Sequence, residues 1–181
     1  MSRVGLTYAE SLFLACKEHD ELDLVFEEFS KFIDILKNNK ELESFLKNPI
    51  FSRDEKKELI NNLQFKKSIL FANYIKIMID KRRESYYIDS YNEFSKLYFE
   101  DKKMVVIKVE TAEPLNNEQK GKIKSIINEK FSKDAIIKEI VNKDLIMGIR
   151  IYVEGEEIDL SLKGSYDRLE QKLKNRIEVN G

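Results

Sequence analysis

Enzymatic chemistry needs groups that move protons, hold a metal or attack an electrophile, and the 181-residue sequence offers few of these in a usable arrangement. His19 is the single histidine and Cys16 the single cysteine. Cys16 falls on an apolar helical stripe, where a thiol behaves as a small hydrophobe, and no second histidine is present to activate it. His19 follows near the end of that stripe and reads as a solvated or capping residue. A structural zinc site wants four Cys or His ligands, more than the chain possesses. No D-x-D-x-D-G loop for Ca²⁺ or Mg²⁺ occurs either. Gly148 and Gly155 bracket a predicted strand, whose N–H groups point into a ladder, so they make no phosphate cradle. Glu154, Glu156, Glu157 and Asp159 offer an acid–base pair, or simply solvated charges around a turn. Lys81-Arg82-Arg83 is a candidate RNA contact, or a basic end complementing a helix dipole. No catalytic residue, cofactor site or metal site is expected.

The elements that carry these residues divide in two. Glycine is absent between Gly5 and Gly121, and Pro49 is the one proline in that stretch. Few breakers and few φ > 0 turns favour helix there. Thr7 and Glu10 have capping-box spacing and predict a helix start near Thr7, with Ala9, Leu12, Phe13 and Cys16 as its apolar stripe. Asp20 is read as the cap of a second helix with Leu22, Val25, Phe26, Phe29, Phe32, Ile33 and Leu36 on one face. A third holds Leu42, Phe45 and Leu46 and stops at Asn48-Pro49. Ser52 and Glu55 open a fourth with Leu59, Ile60 and Leu63. Residues 68–80, SILFANYIKIMID, are apolar almost all round and predict a helix near the centre of a bundle. A sixth, from about Tyr86 to Phe99, lines up Tyr87, Tyr91, Phe94 and Tyr98.

Past Asp101 the pattern changes. Met104–Val109 is a β-branched run, Pro114, Asn116 and Gln119 open a helix through Ile123, Ile126, Ile127 and Phe131, and Ala135–Val141 is a second strand. Ile149, Ile151 and Val153 alternate with polar residues, Gly155 turns the chain, and Glu157–Leu160 is a short fourth strand. A last amphipathic helix carries Leu162, Tyr166, Leu169, Leu173 and Ile177. The expected architecture is an N-terminal all-α six-helix bundle over residues 1–101 and a small C-terminal α+β domain over 102–181.

Composition excludes several partners. The 32 basic residues face 33 acidic ones, so no net field draws the chain to nucleic acid or anionic lipid. No apolar run approaches the ~20 residues needed to span a bilayer. Neither a signal nor a transit peptide is expected at the N-terminus, and a lone cysteine suits a reducing cytoplasm.

Several segments resemble a known family. Tyr8-Ala9-Glu10-Ser11-Leu12-Phe13, Leu46-Lys47-Asn48-Pro49 and residues 73–83 are similar to the delta subunit of bacterial F-type ATP synthase, the oligomycin-sensitivity-conferring protein family. Glu110-Thr111-Ala112-Glu113-Pro114-Leu115 with Glu118-Gln119 resembles its helix entry. Asp144-Leu145-Ile146-Met147-Gly148-Ile149 with Ile158-Asp159-Leu160-Ser161 and Leu169 resembles its signature. Departures are Met147 where the family has a glycine, Asn142 where it has Asp, and Lys163-Gly164-Ser165 before the last helix.

The resemblance implies a non-catalytic stator subunit on the cytoplasmic face of the bacterial cell membrane, with no direct membrane insertion. Its helical domain would bind the N-terminal helix of an alpha subunit, and other subunits of the catalytic head would be near. Its second domain would meet the C-terminal region of the b-subunit stalk. The helix-binding groove would lie between the first and fifth helices and include Tyr8, Ser11, Leu12, Asn73 and Ile77. Two alternatives stay open at this level. One is an RNA-binding transcription regulator using Lys81-Arg82-Arg83, the other a carboxylate-dependent hydrolase built around Glu154–Asp159.

Overall fold

The computed structural model describes residues 3–62, 68–143, 145 and 148–159. The chain separates into two compact units, Met1–Asp101 and Lys102–Gly181. The first is helical. It comprises α1 (Arg3–His19), α2 (Leu22–Asn38), α3 (Lys40–Lys47), α4 (Arg53–Asn62), α5 (Ile69–Asp80), a short 3-10 turn (Glu84–Tyr86) and α6 (Tyr87–Asp101).

Local chemistry explains most of the boundaries and corrects two expectations. Thr7 does not start α1, because its hydroxyl donates to the Arg3 carbonyl at 3.1 Å, a back-bond available only inside a helix already running. Nor does Asp20 cap α2. It takes a left-handed φ of 56°, while the Glu21 N–H reaches back to the Cys16 carbonyl at 3.0 Å and closes α1. The other caps follow the sequence pattern. The Asn39 side chain accepts from the Leu42 N–H at 3.0 Å, and Ser52 and Glu55 exchange reciprocal bonds of 2.7 and 3.2 Å. α5 ends in a Schellman arrangement, with the Arg83 N–H on the Met78 carbonyl at 2.8 Å and Arg82 in the left-handed region at φ 53°. Between Gly5 and Gly121 positive φ occurs among the described residues at Asp20, Arg82 and Lys103, few as glycine content led one to expect, but at non-glycine positions. The cost of about 1 kcal/mol per such residue is small enough for the packing around each helix end to offset.

The core of this unit is aromatic. Phe29 of α2 is fully buried, and its ring lies 5.2 Å from Phe71, 5.3 Å from Tyr74, 5.2 Å from Tyr91 and 5.8 Å from Phe94. α5 contributes Phe71, Tyr74, Ile75, Met78 and Ile79 to the interior. The buried phenols find partners, Tyr74 donating to Ser90 Oγ at 2.7 Å and Tyr87 to the Ile75 carbonyl at 3.2 Å. α1 packs along α6 in the same direction. Gly5 sits against Asp89 near the two N-termini, and Lys17 pairs with Asp101 at 2.7 Å near the two C-termini. A Cβ on Gly5 would come within 2.9 Å of Asp89 Cβ and 3.2 Å of backbone atoms of α6, so only glycine permits this approach.

Among the described residues one ion pair is buried on both sides. Lys56 Nζ of α4 lies 2.7 Å from Glu84 Oε1, both side chains being nearly inaccessible at 5% and 6%. It ties α4 to the turn that follows α5. Lys57 adds a half-exposed contact to Asp80 at 2.5 Å, at the C-terminal end of α5 itself.

The second unit is built on β1 (Met104–Thr111), α7 (Asn117–Phe131), β2 (Asp134–Val141), β3 (Ile149–Val153) and β4 (Glu156–Asp159). The sheet order is β2-β1-β3-β4, with β1 and β2 parallel across α7, and the β1–β3 and β3–β4 pairs antiparallel. Asn116 and Gln119 form the expected capping box at 2.8 and 2.9 Å. Val105, Ile107, Val109, Ala135, Ile151 and Val153 pack with Ile123 and Ile127 of α7 in one core. Ile126, expected on that stripe, is instead 46% exposed. The predicted helix through Leu162 to Ile177, and Leu63, Met147 and Leu160, lie outside the described residues.

Two predictions follow from these contacts. Glu84→Ala strands Lys56 in the interior and should cost about 3–5 kcal/mol in urea unfolding of the full chain, whereas Lys56→Met/Glu84→Leu should recover most of it. In the second unit, Lys120 at 2.8 Å and the Leu115 N–H at 2.6 Å hold the Glu139 carboxyl below its usual range. A lowered carboxylate stabilises the fold above its unfolded-state pKa and loses that contribution as pH falls through the folded value. The melting-temperature gap between wild type and Glu139→Gln should therefore be present at pH 7 and shrink on acidification below about pH 4.

Candidate functional site

The expected site residues sit on two helices that pack together, α1 and α5. Their directions oppose each other. Glu21, just past the end of α1, accepts from the hydroxyl of Ser68, the residue that caps the start of α5, at 2.6 Å. Tyr8 is half-buried, packs on the core and stands close enough to Tyr74 to influence it. Ser11 is exposed, with its hydroxyl bonded to the Thr7 carbonyl at 2.8 Å. Asn73 and Ile77 are exposed on α5, Ile77 by 48%. Leu12 differs from these. It is 5% exposed and belongs to the interior, where it supports the surface from beneath.

Two apolar residues on the same helices escape the sequence pattern. Leu14 of α1 is 66% exposed and Ile69 of α5 is 75% exposed. Ile69, Asn73 and Ile77 are spaced i, i+4, i+8 and form one ridge along α5. The signal for both was present in principle, since Leu14 lies off the stripe of Ala9, Leu12 and Cys16. An apolar residue opposite a buried stripe marks a second covered face or an open one, and sequence does not say which. A separate hollow of about 710 Å³, bounded by Ile35, Leu42, Phe45, Phe51 and Leu59 of the α2–α4 region, contains none of the expected residues.

The groups that could do chemistry are otherwise engaged. Cys16 is fully buried, and burial, with Glu21 nearby, pushes its thiol up to about 12, out of the nucleophilic range. His19 is exposed at the last position of α1. Glu154 pairs with Lys133, Glu156 with Lys130 at 2.7 Å, and Glu157 with Arg150 at 3.0 Å. These three carboxylates are exposed and each meets its own cation, so they do not converge on a pocket as a hydrolase would require. Residues 149–153 form a paired strand, so their N–H groups serve the sheet rather than a phosphate. The backbone of Lys81, Arg82 and Arg83 closes α5, the basic helix end that is the other reading of this segment. Among the described residues no group of three or more His, Cys, Asp or Glu is arranged to hold a metal ion. No helix among them is long and apolar enough to cross a membrane.

Comparison with known proteins identifies the family. The family model of the ATP synthase delta (OSCP) subunit matches residues 4–173. ATP synthase subunit delta of Bacillus thuringiensis (strain Al Hakam) is 32% identical over 175 residues, covering 96% of this chain and 97% of that protein. The Clostridioides difficile (strain 630) subunit is 28% identical over 172 residues, covering 94% and 95%. A chain of the Toxoplasma gondii mitochondrial ATP synthase hexamer, solved by cryo-EM, shares the fold with a TM-score of 0.72 at 21% identity, covering 95% of this chain and 98% of that one. Nothing in these relatives supports the RNA-binding alternative. With a helical N-terminal region and an α/β C-terminal part, the chain belongs to the ATP synthase delta (OSCP) subunit family, non-catalytic stator components of that complex.

Proposed function

We propose that the α1/α5 surface is the receptor for the N-terminal helix of an alpha subunit on the catalytic head, and that the α/β unit, residues 102–181, meets the C-terminal region of the b-subunit stalk. The helical unit, residues 1–101, is then a six-helix receptor domain, and the two units are separate grips on two partners. The chain works as a peripheral protein at the cytoplasmic face of a bacterial cell membrane. It restrains the head while the central rotor turns, which couples rotation to ATP synthesis.

The observation that carries this reading is the ridge Ile69–Asn73–Ile77. Its helix is buried on the opposite side, yet Ile69 and Ile77 are 75% and 48% exposed. An amphipathic visiting helix would cover both isoleucines and meet Asn73 with a polar group. Tyr8 and Ser11 on α1 supply the facing wall, and Leu14 and Ile69 extend the apolar area outward. A joint that resists torque needs affinity rather than chemistry, and a rigid preformed slot lowers the entropy lost on binding.

Ile77→Asp and Tyr8→Ala should each weaken binding of a cognate alpha-subunit N-terminal peptide by about 2 kcal/mol or more in calorimetry. Unchanged affinity in both variants would remove the α1/α5 surface as the receptor.

A further inference from the structure

α5 carries the exposed ridge, so its placement against α1 decides what a visitor meets. That placement converges on one residue. Ser68 is 1% exposed and uses its polar groups in three directions. Its Oγ accepts from the Phe71 N–H at 3.1 Å, which caps α5. Its hydroxyl donates to Glu21 Oε2 at 2.6 Å, and its backbone N–H donates to Glu28 Oε2 at 3.1 Å. Glu28 is itself buried at 4%. Glu21 stands at the α1–α2 junction, since its N–H closes α1 on Cys16 while its carbonyl receives the Val25 N–H at 2.9 Å. One serine thus links the end of α1, the start of α2 and the start of α5.

Sequence leaves no substitute for it. Between Leu63 and Ala72, Ser68 is the single residue of the Ser, Thr, Asp or Asn types that cap helices well. A helix that started one residue earlier or later would be rotated by about 100° about its axis at a given height. Ile69, Asn73 and Ile77 would then leave the side that α1 shares.

We infer that Ser68, held by Glu21 and Glu28, is a positioning residue for the α1/α5 surface, setting the register of α5 against α1. This rests on the proposed role of that surface. It assigns to Ser68 an effect on binding that is separable from its effect on stability, because Ser68 is buried and does not touch the visitor.

The test is calorimetric titration of a synthetic peptide of the cognate alpha-subunit N-terminal helix into the full chain and its variants, each checked as folded by circular dichroism at the titration temperature. Ser68→Ala should weaken binding by about fivefold. Ser68→Thr keeps the hydroxyl and should bind within about twofold of wild type. Ile60→Val, a one-methylene change in the core contribution of α4, is the stability control and should leave affinity unchanged. Ile77→Asp reports on the surface itself. Full affinity in Ser68→Ala together with loss in Ile77→Asp overturns the positioning role and leaves the surface intact. Equal losses in Ser68→Ala and Ser68→Thr also overturn it, because packing and not the hydroxyl would then be at work. Full affinity in Ile77→Asp instead removes the receptor reading. Should Ser68→Ala fail to fold, Glu21→Ala takes its place, since it removes the hydroxyl's acceptor while leaving the cap; weakened binding supports the role and full affinity overturns it.

Discussion

A helix with apolar residues on nearly every side must be buried along its length, and its polar ends must then be satisfied inside the protein. That constraint at α5 organises the helical unit. The inner residues Phe71, Ile75, Met78 and Ile79 are fully buried, and the aromatic core collects around them. At one end Ser68 and two carboxylates take up the polar groups. At the other, the bonds of residues 81–83 take up carbonyls of α5, while Lys57–Asp80 and the buried Lys56–Glu84 pair tie that end to α4. What remains uncovered is a narrow strip that includes Ile69 and Ile77. Burial on one side with exposure on the other leaves α5 rigidly held and apolar at its surface.

The α/β unit follows a different logic. Among the described residues its core is an apolar layer between sheet and helix, and its polar surface is laced with ion pairs: Lys120–Glu139, Lys130–Glu156 and Arg150–Glu157. Individually such exposed pairs contribute about 0–1 kcal/mol. Their effect here is to occupy carboxylates that a sequence scan would otherwise nominate for catalysis. This is why Glu154, Glu156 and Glu157 looked chemically promising as a string and are ordinary surface charges in space.

What could be read from sequence was local and repetitive. The capping boxes at Ser52/Glu55 and Asn116/Gln119, the stop at Asn48-Pro49 and the apolar period of α5 are short-range signals, and each has its structural counterpart. The failures arise where one signal has two uses. Thr7 with Glu10 has the spacing of a cap, but threonine bonds equally well to the preceding turn. Asp20 is a good cap by type, yet it also tolerates the left-handed region and was needed there. The contacts that hold α5, from Ser68 to Glu21 and Glu28 and from Lys56 to Glu84, span 47, 40 and 28 residues. No periodicity announces them. For the candidate surface, family resemblance pointed to Tyr8, Ser11, Leu12, Asn73 and Ile77; the apolar stripe of α1 already placed Leu12 inside, while the exposure of Leu14 and Ile69 required the packed helices to be seen.

Gly5 has a mechanical meaning. Where α1 meets α6 there is no side chain from glycine to act as a cushion, so helix backbone rests almost directly on helix. Contacts between long side chains yield by changing rotamer, whereas contacts at backbone distance yield only by bending or separating the helices. Lys17–Asp101 pins the far end of the same pair, so the two helices are coupled over most of their lengths. A sideways pull delivered to α1 by anything lodged beside it would therefore arrive in α6 as a stiff displacement with little damping. α6 ends at Asp101, where the chain passes into the second unit. In a complex that turns, the smallest residue in the helix thus makes the hardest link.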